Sequence, residues 1–204
     1  MGTKTVNSGE QLDRQSRILE AAMELLSRHG IAGVSMRAVA REAGVALGLV
    51  NYYYDDKTSL IRAALHRVDE HDLQLVAPDP SSAPEEQLRK ALRRIAGADL
   101  LTTRHLSLRL HLWALAQADD GYAEINAAAF NRYIDGLASL VSSAKPGLSW
   151  PECRERAADI VVVQNGVWLT ALLGVDNASI ERSIARTEQI AFAPAQDSTS
   201  PGQE

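Results

Sequence analysis

A chain of 204 residues, 46% hydrophobic and 23% charged, is long enough to bury one or two cores and has the make-up of an ordinary globular protein. No apolar run reaches the roughly 18 residues that cross a bilayer. The opening MGTKTVNSGEQLD lacks the apolar centre of a secretion signal, and the lone Cys153 excludes an internal disulfide, so a cytoplasmic protein is expected. A net charge of −5 gives no general attraction for nucleic acid, although five arginines face only two acids between Arg14 and Arg41.

Helical periodicity runs through the chain and strand-like alternation is nearly absent, so the expected fold is all-α. Residues 1–12 are polar and read as a flexible N-terminus. Ile18, Ala21, Ala22, Leu25 and Leu26 then form the apolar stripe of a first helix, closed at His29-Gly30. Ser35 offers an N-cap to a second helix from Met36 to about Ala43, closed by Gly44. A short third helix follows Val45-Ala46 and runs through Tyr52-Tyr53-Tyr54. Asp56 can cap a fourth, from Lys57 to about Leu75.

PDPSSAPEE, residues 78–86, reads as a linker. Beyond it the periodicity predicts helices over about 85–98, 104–118, 122–144, 150–174 and 178–191. Ser149-Trp150-Pro151-Glu152 has the capping-box pattern with proline in the first turn. The helix it opens is apolar almost all round, which demands burial in a bundle or against a partner. Within it Gln164 and Asn165 need polar partners, either a ligand or a facing helix across a dimer seam. The last residues, 194–204, read as a disordered tail.

Two short helices joined by a glycine-bearing turn, SMRAVAREAGVALGLVNYYY, make a helix-turn-helix whose last helix enters the major groove. Val39, Ala43, Val50 and Tyr54 can share a small core, with Val50 and Tyr54 one turn apart. Leu47, Asn51 and Tyr52 then face a ligand surface. Asn51 is the best base reader, because a side-chain amide pairs with adenine N6 and N7. The histidine spacings, His66/His71 and His105/His111, do not put two ligands on one helical face, so no metal is expected. Neither a Ser/His/Asp set nor a glycine-rich phosphate loop is present, so catalysis has no residue-level support.

Ile18-Leu19-Glu20-Ala21-Ala22, His29-Gly30, Ser35-Met36-Arg37, Val39-Ala40, Glu42-Ala43-Gly44-Val45, Gly48 and Tyr53-Tyr54-Asp55-Asp56-Lys57 resemble the DNA-binding domain of TetR-family transcriptional regulators. Residues 109–115 more loosely resemble the choline-responsive, BetI-like branch. The resemblance implies a DNA-binding domain over 13–57 and a helical ligand-binding and dimerisation domain over 58–193. It implies a repressor that binds a palindromic operator as a homodimer, paired through helices near 151–174 and 178–191, and released by a small-molecule effector.

Residue by residue, it implies that Ser35, Tyr53 and Lys57 meet phosphates, that Arg37 reaches a phosphate or a guanine edge, that Gly48 clears the groove, that Asn51 reads a base, and that Leu47 and Tyr52 face the groove beside it. The chain departs from the pattern at Ala46, where a serine cap is common, and at Leu47, where a polar residue is common. Leu47 can instead touch a thymine methyl. His111, Trp113, Tyr122, Tyr133, Asn165 and Trp168 are the candidate effector residues, with packed core as the alternative reading of each. Few fixed charges lie among them, which favours an apolar or aromatic effector. The competing reading is a helical small-molecule-binding protein or an enzyme that does not bind DNA.

Overall fold

The computed structural model describes residues 8–174 and 176–194, and among these every regular element is an α-helix. In chain order they are α1 (Ser8–Gly33), α2 (Met36–Ala43), α3 (Leu47–Tyr53), α4 (Lys57–Leu75), α5 (Pro84–Arg94), α6 (Thr103–Ala118), α7 (Asp120–Ala144), α8 (Trp150–Leu172) and α9 (Asn177–Phe192). The fold is all-α, with a three-helix helix-turn-helix head and a larger helical remainder. Residues 1–7 and 195–204, most of the expected flexible arm and tail, lie outside the described residues. Ser8–Leu12, expected to belong to that arm, are instead the first turns of α1.

Local chemistry sets the helix ends. The Ser35 hydroxyl accepts the amide of Ala38 at 3.1 Å and starts α2. Gly44 ends it in the left-handed region (φ 64°), a conformation costly for any residue with a Cβ, and donates its amide to Ala40 and Arg41. Asp56 and Ser59 cap α4 reciprocally: Asp56 Oδ1 accepts the Ser59 amide at 2.7 Å, and Ser59 Oγ accepts the Asp56 amide at 3.2 Å. Ser149 and Glu152 form the expected capping box on α8. Gly30 takes φ 61° and ψ −166°, a kink after which one further turn carries α1 to Gly33.

The chain packs as two compact units. Among the described residues, one comprises 8–72 together with Ala98–Phe130; the other comprises Leu73–Gly97 and 131–194. Compactness therefore divides the chain differently from the functional division expected at residue 57, because α6 packs on α1. In the first unit Ile18, Ala22, Leu26, Val39, Val50, Leu60, Ile61 and Ala64 are fully buried in one cluster with Leu112 and Tyr122. Each large side chain buried there contributes about 1.5–3 kcal/mol.

In the second unit α9 packs on α8 and α5. Leu88, Leu92, Leu137, Val141, Ile160 and Trp168 are buried there. Arg156 of α8 closes the end of α9 by donating to the carbonyls of Ala193 (2.6 Å) and Pro194 (2.7 Å). The segment expected to be a plain linker is tied by Asp79, whose carboxylate accepts from Ser81 Oγ at 2.5 Å, Ser82 Oγ at 2.9 Å and Lys90 Nζ at 3.2 Å. Those hydroxyls, with Lys90, hold the Asp79 carboxyl far below the usual carboxylate range.

The first unit also encloses a polar cluster where α4 meets α6. Arg109 Nη2 donates to both oxygens of Asp72, at 2.6 and 2.7 Å. The rings of His71 and His105 lie 5.9 Å apart. Burial, the largest single influence, pushes the Asp72 carboxyl up, but the charge of Arg109 and the hydrogen bonds from His71 and Arg109 together outweigh it and the net direction is down. His71 is raised by Asp72, 3.9 Å from its Nδ1. Burial, with Arg109 nearby, drives His105 down to about 4.

A histidine lowered by folding stabilises the folded state above its unfolded pKa of about 6.5 and withdraws that stability as pH falls toward the folded value. His71, raised instead, contributes fully below about 6.5, so it does not change in that window. After solvent screening, the His105 contribution is about 1–2 kcal/mol. Urea unfolding at pH 6.5 and 4.5 should show the wild type losing that much more stability than His105→Gln.

Candidate nucleic-acid interface

The turn Gly44–Ala46 joins α2 to α3, and three anchors set the rotation of α3. Val50 is fully buried and Tyr54, the extended residue that ends the helix, is 6% exposed. Burial raises the Tyr54 phenol above its ordinary range. Arg17 of α1 donates to the carbonyl of Ala43 at 3.0 Å and holds the start of the turn. With Val50 and Tyr54 turned inward, Gly48, Asn51 and Tyr52 are exposed together on the outer face. A side chain at Gly48 would meet nothing within 4 Å, so nothing inside the protein requires glycine there.

Tyr52 is 71% exposed and stacks edge-to-face with Tyr53, ring centroids 5.1 Å apart. Tyr53 is half-buried against the core. The sequence-based expectations separate here. Ser35 and Arg37 are exposed at the start of α2, and Arg41, outside the expected set, is exposed one turn further on. Its i, i+4 spacing from Arg37 was the signal that could have found it.

Leu47, expected to face outward, packs against the core and is only partly exposed, because an apolar side chain gains by leaving water. Lys57 does not present a free ammonium: its Nζ donates to the carbonyl of Ile31 at 2.6 Å. Two further cations of this unit, Arg28 and Arg104, are paired with acids. Arg28 bonds Glu24 at 2.6 Å, while Arg104 of α6 bonds Glu24 and reaches Glu20 at 3.2 Å. Hydrogen bonding to Arg104 is the main cause that lowers the Glu24 carboxyl.

The candidate effector residues fall into both units. His111, Trp113 and Tyr122 lie in the first; Tyr133, Asn165 and Trp168 lie in the second. The His111 ring abuts Gly30, with Cε1 3.1 Å from where a Cβ would stand. Tyr122 belongs to the core cluster, while Trp113 and Asn165 are half-buried. The Trp168 indole donates to the carbonyl of Ile95 at 2.9 Å. Tyr133 donates to Gln164 Oε1 at 2.9 Å, so the partner that Gln164 needed is α7 of the same chain.

A shallow cleft of about 480 Å³ near Asp13, Arg17, Glu20 and Arg104 contains none of the six. Nor does a hollow of about 270 Å³ at Glu85 and Lys145–Leu148. Among the described residues no group of three or more His, Cys, Asp or Glu can hold a metal ion, and no helix is long and apolar enough to cross a membrane.

A helix-turn-helix head with a clear outer face, carried by a helical remainder, defines a DNA-binding regulator. Residues 18–64 match the bacterial regulatory proteins of the tetR family, and residues 84–191 match the C-terminal region of the BetI-type transcriptional repressors. The chain belongs to the TetR family, in its BetI-type branch, and is a transcriptional regulator; the families it matches are regulators rather than enzymes. It is 24% identical over 177 residues to the HTH-type transcriptional regulator BetI of Stenotrophomonas maltophilia, covering 84% of this chain and 89% of that one.

Solved structures share the fold. A transcriptional regulator from Pseudomonas aeruginosa PAO1 superposes with a TM-score of 0.75 at 22% identity, over 91% of this chain and 90% of its own. A regulator from Saccharomonospora viridis in complex with choline gives 0.66 at 19% identity, over 92% and 98%.

The Tyr133–Gln164 bond allows core packing to be measured. Tyr133→Phe leaves a buried amide oxygen unpaired and should cost about 1–3 kcal/mol, whereas adding Gln164→Leu should recover most of it. Urea titration of both variants checks this; equal loss in single and double variants would contradict it.

Proposed function

We propose that this regulator is a repressor that binds a palindromic operator as a homodimer, with α3 in the major groove, and that a small-molecule effector releases it. The observation that carries the reading is the outer face of α3, where Asn51 and Tyr52 stand exposed beside the bare backbone of Gly48 on a helix anchored by Val50 and Tyr54. Asn51 pairs with adenine, and Ser35, Arg37 and Tyr53 meet phosphates on either side. Two-fold symmetry in the protein then requires two-fold symmetry in the operator.

The dimer reading is supported by α8. Val162, Leu169 and Leu173 lie on one side of it, 69%, 43% and 73% exposed, with Gly166 exposed between them. An uncovered apolar strip on a helix already packed against α9 suits pairing with the same helices of a second copy. An effector bound in the helical remainder would shift the balance between DNA-competent and released states by its differential affinity for them. Choline, held by the S. viridis regulator of this fold, is the first compound to titrate.

Footprinting on the DNA flanking the protein's own gene should reveal a protected palindrome. Asn51→Ala should then reduce discrimination against a mismatched adenine step by about 1–3 kcal/mol while nonspecific binding persists; equal weakening on every sequence would remove Asn51 as a base reader. Charges placed on the α8 strip, Val162→Glu with Leu169→Glu, should weaken self-association by about a hundredfold or more. Sedimentation velocity reads this directly, and a dimer that survives both changes would exclude α8 from the seam.

A further inference from the structure

We propose that Arg156 is a positioning residue for the dimer seam: from α8 it closes the free end of α9, and so fixes the helix pair that meets a second copy. The functional consequence rests on the homodimer reading above; the clamp itself does not.

The need for a clamp is visible in α9. Among its described residues only Ile180, Thr187 and Ala191 are buried, and Ile180 is the one large apolar side chain of the three. Ile184, Ile190 and Phe192 are only half-buried. Burial therefore holds α9 weakly. Its last turn contains no basic residue, and Ala193, which ends it, has φ −51° and ψ 147° rather than the left-handed turn that closes many helices. The last carbonyls of a helix lack intrahelical donors, so those of α9 must find them elsewhere.

Arg156 supplies them. Its Nη1 donates to the carbonyls of Ala191 (3.4 Å) and Ala193 (2.6 Å), and its Nη2 to that of Pro194 (2.7 Å). One planar guanidinium thus engages three carbonyls at the helix end that favours a cation. The chain itself joins α8 to α9 between Leu172 and Asn177, and Arg156, in the second turn of α8, ties the opposite end of the pair. Two helices fastened at both ends cannot splay.

From α5 a second fastening reaches the same stretch. Arg89 Nη1 donates to Glu188 Oε2 at 3.1 Å, while its guanidinium stands 4.2 Å from the centre of the Phe192 ring. Arg93 reaches the other oxygen of Glu188 at 3.7 Å. In a two-fold pair each copy offers the same surface, so a displaced α9 is felt twice. A face held rigid beforehand also loses less freedom on pairing.

The test uses the full chain. Arg156→Met keeps the aliphatic stem and removes the guanidinium. Amide hydrogen exchange should quicken over residues 186–192 while 160–168 in α8 stays protected; unchanged exchange over 186–192 would overturn the clamp. By sedimentation velocity, where circular dichroism shows the variant fully folded, self-association should weaken about tenfold. An unchanged dimer there would make Arg156 a cap for α9 alone and overturn its role in the seam.

Arg156→Lys, which keeps a cation at the helix end, should recover part of both measures; no recovery would remove the charge from the account and overturn the proposal. Should Arg156→Met fail to fold, Arg89→Met takes its place, because it loosens only the α5 side of the same stretch. It should open 186–192 and weaken the dimer by a smaller factor, and an unaltered dimer counts against the proposal. A wild type that stays monomeric at every concentration overturns the dimer reading and the seam role with it, while the exchange result still decides the clamp.

Discussion

A seven-residue helix is far too short to be stable alone, so α3 exists because its neighbours hold it. Val50 and Tyr54 do this by burial, and the rotation they impose decides every other property of the head. With those two inward, Asn51 and Tyr52 must point out, Tyr53 must sit at the edge, and Leu47 and Leu49 must lean on the core. The adjacent tyrosines thus have different environments: 52 is exposed, 53 half-buried and 54 buried. They cannot form a stacking platform, because consecutive residues on a helix point about 100° apart.

Charge is the second constraint on the head. The outer face of α3 carries no cation. Most cations nearby are committed inside the protein: Arg17 to a carbonyl of α2, Arg28 and Arg104 to acids of α1, and Lys57 to Ile31. Arg37 and Arg41 remain exposed on α2. For the proposed operator complex this means few phosphate contacts and a shallow salt dependence, since each contact releases about one counterion. Selectivity then leans on hydrogen bonds to base edges and on how well two heads match the operator spacing.

Much of this was legible in the sequence because it is local. Ser35, Gly44, Asp56 and the Ser149–Glu152 box act within four residues, and the Val50–Tyr54 pairing needs only helical spacing. What escaped depends on contacts between elements. Same-helix spacing kept His71 and His105 apart, yet they meet across α4 and α6. The reach of Lys57 to a carbonyl 26 residues away follows from the kink at Gly30, which a glycine in the sequence permits but does not announce. The six candidate effector residues were chosen by residue type; polarity within an apolar stretch does not distinguish a pocket from a paired core, and Tyr133 and Trp168 have polar partners inside their own unit.

Those partners have a further role in the second unit. A helix as apolar as α8 gains almost the same burial in several rotations, so hydrophobicity alone sets its orientation weakly. An indole or an amide buried without a partner costs about twice what a partnered one contributes, and that asymmetry selects one rotation. Trp168 bonded to Ile95 fixes α8 against the segment that ends α5, and Gln164 bonded to Tyr133 fixes it against α7. With both satisfied, Val162, Leu169 and Leu173 are the residues left facing outward. The apolar strip on which the proposed dimer depends is thus defined by two hydrogen bonds on the opposite side of the same helix.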